Sequence, residues 1–277
     1  LKNCQVTANL KVIKNLSYDL READYVNKNF QDIAEILKLW PILKESYGYQ
    51  LIEQDFNKKY SVTKDKLLVG WKQFYNKISK ISDKKLLPQQ ALENKKLLDN
   101  PDLSDETRNI IEFSLLPHFI CPKANKCKIN HLKSEKTKNF YKANIEGAGK
   151  SLLVHIEVNF YIPGKIKEVI SELKSDCKKI GLPLQPFVIV VGKNYSEILE
   201  VFVLVNDVMY KIPTFLKAVD ILMKIYISYN LVYPLAGEHI YYLIQWAVYE
   251  IKTNFDSKIP HILTLINKLK KASIESN

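Results

Sequence analysis

Pro186 to Ser228 reads PFVIVVGKNYSEILEVFVLVNDVMYKIPTFLKAVDILMKIYIS, and this stretch decides the fold. Phe187 to Val191 is a β-branched run with no polar interruption, which suits a strand buried on both faces. Ile198 to Val205 and Val208 to Ile212 flank Asn206 and Asp207, a pair suited to a two-residue hairpin turn. After Pro213 the period changes. Phe215, Val219, Leu222 and Ile225 recur at helical spacing, so Thr214 to Ser228 is expected to cross the strands as a helix with these residues turned inward.

Outward from this core, Leu152 to Val158 alternates as a strand, and Pro163 and Gly164 turn the chain. Lys165 to Ile180 forms an amphipathic helix closed by Gly181, and further helices are expected at Leu235 to Lys252 and Ile259 to Lys271. Upstream the pattern is helical throughout. Phe30, Ile33, Ile36, Leu37 and Trp40 share one helix face until Pro41; Tyr49, Leu51, Ile52 and Phe56 mark a second helix, Leu67 to Ile81 a longer one, and Gln89 to Leu98 a fourth. A fifth starts after the N-cap Ser104 and should stop at Pro117. The expected fold class is α+β, an all-helical N-terminal half followed by a small mixed sheet covered by helices. The expected organisation is a tail or linker over 1–27, a helical domain over 28–120, a Lys-rich linker over 121–150 closed by Gly147 and Gly149, and an α+β domain over 151–277.

The chain has 277 residues, 47% hydrophobic and 26% charged, with 8 Gly and 11 Pro, which excludes general disorder and collagen-like or low-complexity classes. Its longest apolar runs are far short of the roughly 20 residues a membrane-spanning helix needs, so no membrane role is expected. It starts at Leu1 with no apolar signal region after it, which reads as a fragment or processed piece. Four scattered cysteines make no disulfide framework, so the expected location is intracellular, cytoplasm or nucleus.

The net charge of +11 is uneven: residues 1–150 hold 27 basic and 18 acidic side chains, residues 151–277 hold 14 and 12. The candidate polyanion-binding residues are therefore Lys58, Lys59, Lys84, Lys85, Lys95, Lys96, Lys123, Lys126, Lys128 and Lys133. Against that, only Arg21 and Arg108 among the 41 basic residues are Arg, and abundant Asn and Ile match the drift of an AT-rich genome. Arg is the side chain that reads guanine bidentately, so base-specific recognition is disfavoured.

No Gly-rich phosphate loop, HExxH or GxSxG motif is present, and His155, His239, His261, Glu197 with Glu200 and Glu238 sit in no catalytic pattern. Cys121, Cys127 and His131 have the spacing of the last three ligands of a CCCH zinc finger, but Glu112 and Phe113 stand where its first cysteine belongs, so no metal and no cofactor are expected. The other abundance is aromatic. Tyr241, Tyr242, Trp246 and Tyr249 spread beyond the core-facing side of the Leu235 to Lys252 helix, more surface than one helix can hide on a small sheet. They are expected to pack partly on the N-terminal helices and to leave an exposed aromatic groove as the partner site.

DIAEILKLWPILKESYGYQLIEQDF from Asp32, LLVGWKQFYNKI from Leu67, NPDLSDETRNIIEFSLLPHFI from Asn100 and the segment from Pro186 to Ile251 together resemble a largely uncharacterised family of insect and fish proteins. Its members often carry a SAM domain or other small module ahead of this region. The resemblance implies no catalytic residues and an adaptor-like, intracellular role in expanded or transposon-derived gene sets. The function expected is a non-enzymatic protein-interaction module; the alternative is non-specific nucleic-acid binding through the Lys-rich first half.

Overall fold

In the computed structural model, which describes residues 18–24, 33–82, 87–122, 126–128, 140–159, 163–179 and 181–274, the strand Phe187–Gly192 (β4) is buried along its whole length. It pairs in parallel with Leu153–Glu157 (β3) and antiparallel with Ile198–Val205 (β5), which pairs with Val208–Lys211 (β6), giving the sheet order β3-β4-β5-β6. The parallel pair is joined by the helix Pro163–Lys179 (α8), the crossover that parallel strands require. Asn206, at φ 55, makes the β5–β6 turn, a conformation Asn tolerates better than most residues.

Period-two alternation sends the two faces of β4 to different neighbours. Phe187, Ile189 and Val191 pack with Ile166, Val169 and Leu173 of α8. Val188 and Val190 belong to the main core, beneath the helix Phe215–Ser228 (α9). Thr214 caps α9 by accepting the Lys217 N–H, and the inward residues Phe215, Val219, Leu222 and Ile225 are all buried, as the spacing required.

The N-terminal helices cover the other side of α9. Residues 18–24 lie in helix α1, followed by Ile33–Leu39 (α2), a 3₁₀ turn at Pro41–Lys44, Gly48–Lys59 (α3), Lys66–Ser82 (α4), Gln89–Leu97 (α5) and Asp105–Phe119 (α6). Trp71 of α4, Phe113 of α6 and Phe215 of α9 meet in series, tilted and then edge-on, with ring centroids 5.8 and 5.5 Å apart. One hydrophobic core runs from Ile33 to Leu269 through both halves of the chain. The fold is α+β.

Four expectations are corrected. The segment 1–27 is not wholly a tail, because Tyr18 and Arg21 are buried and Arg21 clamps Asp55 of α3 with two bonds of 2.7 and 2.6 Å. Pro117 does not stop α6, which continues to Phe119. Phe119 buries beyond the proline, as Leu115 and Leu116 do just before it, and that packing offsets the ~3 kcal/mol that an interior proline costs. The end of the 121–150 linker is the helix Ile145–Leu152 (α7), capped by Asn144, with Ala148 and Leu152 buried. Ahead of it, Lys126–Lys128 (β1) and Phe140–Lys142 (β2) pair as an antiparallel ribbon. The helix expected over Leu235 to Lys252 is instead Glu238–Ile244 (α10) followed by a π-helical turn at Gln245–Tyr249, which Glu250 ends in the left-handed conformation at φ 58. The last helix is Pro260–Ile274 (α11).

Candidate functional site

The aromatic cluster expected to form a partner groove is core. Tyr241, Tyr242, Trp246 and Tyr249 are between 0 and 7% exposed, so the exposed aromatic groove is corrected to a filled interior. The physical reason is that every polar tip finds a partner inside the chain. Tyr241 donates to the Ser151 carbonyl of α7 and Tyr249 to Asp220 of α9, while Tyr242 accepts the Ser257 N–H. Trp246 Nε1 donates to Asp256 at 2.7 Å, and the same carboxylate holds Gln245 and Thr253. The loop after the π turn thus folds back over the rings.

The basic candidates do not assemble into one face among the described residues. Lys58 and Lys59 pair with Asp19 and Glu22 of α1, and the Lys58 ammonium lies 3.8 Å from the centroid of the Tyr18 ring. These exposed pairs offset part of that charge, while the buried Arg21–Asp55 pair holds α1. Lys95 and Lys96 lie in the last turn of α5, with Lys95 6.0 Å from the Phe119 ring. Lys84, Lys85, Lys123, His131 and Lys133 lie outside the described residues, and of Lys126, Cys127 and Lys128 only the backbone, in β1, is described.

Catalytic or metal chemistry finds no assembled site among the described residues. Cys121 is exposed and donates to the His118 carbonyl at 3.4 Å, and no three His, Cys, Asp or Glu side chains converge as metal ligands. His239 donates to the Ile120 carbonyl at 2.8 Å, and burial pulls its pKa down to about 4. Glu112 accepts from Trp71 Nε1 at 2.7 Å, and burial lifts its carboxyl to about 7. Both groups are locked into packing rather than aimed into a cleft. The run Gly147-Ala148-Gly149-Lys150-Ser151, which looks like the tail of a phosphate loop, lies inside α7, and Lys150 pairs with Glu146.

A buried charge network was missed by sequence reasoning. Asp220 and Lys224 of α9 are fully buried and paired at 2.8 Å; Glu53 of α3 and Lys217 extend the network towards the surface. Burial raises the Glu53 pKa, but hydrogen bonds from Lys217 and Lys224 outweigh it and hold the carboxyl below its ordinary range. The readable signal was Lys217, Asp220 and Lys224 at three- and four-residue spacing inside a mostly apolar helix. Each charge in the network has an opposite partner, so the network joins α3 to α9 and leaves no carboxylate free for proton transfer.

An open cleft of about 550 Å³ lies between α4, the end of the π turn and α11. Its wall on α4 carries Lys66, Val69, Gly70, Gln73, Phe74 and Lys77, which share one helix face. The π turn contributes Ala247, Val248 and Glu250, and α11 contributes Ile266, Leu269 and Lys270. The extra residue in a π turn shifts the register of the residues after it, which brings Val248 and Glu250 to the cleft instead of continuing α10. Val62 and Val69 at its rim are 86 and 84% exposed. A Cβ added at Gly70 would meet nothing within 4 Å, so that glycine answers no steric need in this chain. Compared with family models, curated proteins and solved structures, the chain matches none, and the cleft is read from its own residues.

Proposed function

We propose that this chain is a non-enzymatic, intracellular protein-interaction module that receives its partner in the cleft between α4 and α11. The observation that carries this is the exposure of Val62 and Val69 together at the rim of the cleft. Exposed apolar side chains grouped at a cleft and rimmed by polar residues are one mark of an interaction site. Helix α4 keeps Gly70 mid-helix beside this surface, at a cost of about 1 kcal/mol relative to Ala, where no neighbour of its own demands it. The adaptor-like role implied by the resemblance between Asp32 and Ile251 agrees with this reading.

The alternative, a non-specific nucleic-acid surface, rests on the same Lys-rich half of the chain. The ion pairs of Lys58 and Lys59 with acidic residues of α1 weaken two of its candidates. The test is site-specific photocrosslinking from position 69 in cells, with position 232 as the control, since Val232 is 66% exposed and lies away from the cleft. Discrete protein adducts from 69 and not from 232 are the expected result. Adducts to nucleic acid instead, or binding of a random duplex with a steep negative salt slope, would favour the alternative.

A further inference from the structure

We infer that the partner presents an acidic amphipathic helix, an inference that rests on the cleft being the docking site. The apolar surface the cleft offers is Val62 and Val69 at its rim, 86 and 84% exposed; Val248, Ile266, Leu269 and Phe74 beneath them are 5 to 8% exposed, and no exposed ring is there on which a base could stack. Two helices flank it, and the natural filler of a groove between helices is a third, reading its anchors at i, i+3, i+4 and i+7.

The rim sets the sign of the partner. Lys66 is tied to Glu250, and Lys64 stands 4.0 Å from Asp65. Lys77 and Lys270 line the same cleft and have no carboxylate partner among the described residues. Lys66 and Lys77 are eleven residues apart on α4, which is about 16 Å, or three helical turns. A helix of three to four turns therefore spans the wall and can set a carboxylate against Lys77 and another against Lys270 while its apolar face meets Val62 and Val69. Gly70 leaves the space for that approach. Charge steering of this kind raises association rate and rejects basic competitors.

The test uses the full chain and a labelled synthetic peptide of about 16 residues with Leu at i, i+3, i+4 and i+7 and Glu on the rim positions. Fluorescence anisotropy compares it with its Lys-for-Glu counterpart, a scrambled Leu/Glu peptide and a random DNA duplex. Binding of the ordered acidic peptide alone is expected, weakened on the order of tenfold by Lys77→Glu with Lys270→Glu. Gly70→Gln, which fills empty space, should abolish it at a thermal midpoint no lower than that of the parent chain. Equal binding of the scrambled or basic peptide, or full binding by the variants, overturns the inference. Duplex binding lost on charge reversal but kept by Gly70→Gln also overturns it. If position 69 crosslinks to protein while the acidic peptide fails to bind, the docking site survives and the acidic helix does not; if position 69 also fails to crosslink, both fall.

Discussion

The segment from Glu238 to Glu250 borders two unlike regions: an aromatic cluster on one side and an open cleft on the other. Both begin from the same excess, more apolar surface on helices than one small sheet can cover. On the aromatic side the excess is covered by α7, α9 and the loop through Asp256, and each ring's polar tip is bonded. On the cleft side Val62 and Val69 stay in water with lysines beside them. The difference lies in the polar handles. Tyr and Trp can recruit backbone carbonyls and a loop carboxylate to close over them, whereas Val has nothing with which to hold a cover in place.

That contrast can be broken most strongly at the charges under the aromatic side. Asp220→Ala leaves Lys224 with Glu53 alone and takes the acceptor from Tyr249, so a loss of about 3–5 kcal/mol is expected in urea unfolding. Relief of the effect by a second change, Lys224→Met, would show that the unpaired charge is the cause.

The inner face of α4 is tested by pH. Glu112 is raised to about 7 when folded, so its contribution is full below the ordinary carboxylate range and is lost as pH rises through 7. His239 is lowered to about 4, so its contribution is full above the ordinary imidazole value and is lost as pH falls towards 4. The two slopes oppose each other between about pH 4.5 and 6.5. Glu112→Gln keeps an acceptor for Trp71 and removes one slope. Its stability relative to the parent chain should rise by about 3 kcal/mol between pH 4.5 and 8, and a parallel profile would refute the burial assignment.

Opening the cover is a smaller perturbation. Asp256→Ala deprives Trp246, Gln245 and Thr253 of a shared acceptor and should cost about 2 kcal/mol, with increased quenching of tryptophan fluorescence as Trp246 becomes accessible. Unchanged quenching would mean that the loop does not depend on that carboxylate. The smallest effects belong to the cleft, where Val69→Ser should shift stability by less than about 0.5 kcal/mol and Gly70→Ala should raise it by about 1 kcal/mol. Destabilisation by either change would place these residues in packing rather than at a free surface.

Much of the fold was legible because it depends on local period. The unbroken Phe187 to Val191 run, the Asn206-Asp207 turn and the helical spacing of Phe215, Val219, Leu222 and Ile225 each signal their structure within a few residues, and each stands as expected. Misreadings came where a distant partner overruled a local signal. Pro117 and the Gly147/Gly149 pair are breakers by rule, yet Phe119, Ala148 and Leu152 have buried places to go, and packing prevailed. The cleft was not legible, since Lys66, Val248 and Lys270 come from three separate elements and the π turn that aims Val248 has no local signature.

By itself the sequence determined the α+β class, the order of the main elements and the absence of a known catalytic motif, because strand and helix periods and short motifs are properties of neighbouring residues. The tertiary structure alone decided which apolar surface is interior and which is open. Burial is set by whether another element can reach a side chain and satisfy its polar atoms, and that depends on residues far away in the chain. The same composition that made Tyr241 and Trp246 look like a docking surface made them core once Ser151 and Asp256 came within hydrogen-bonding distance.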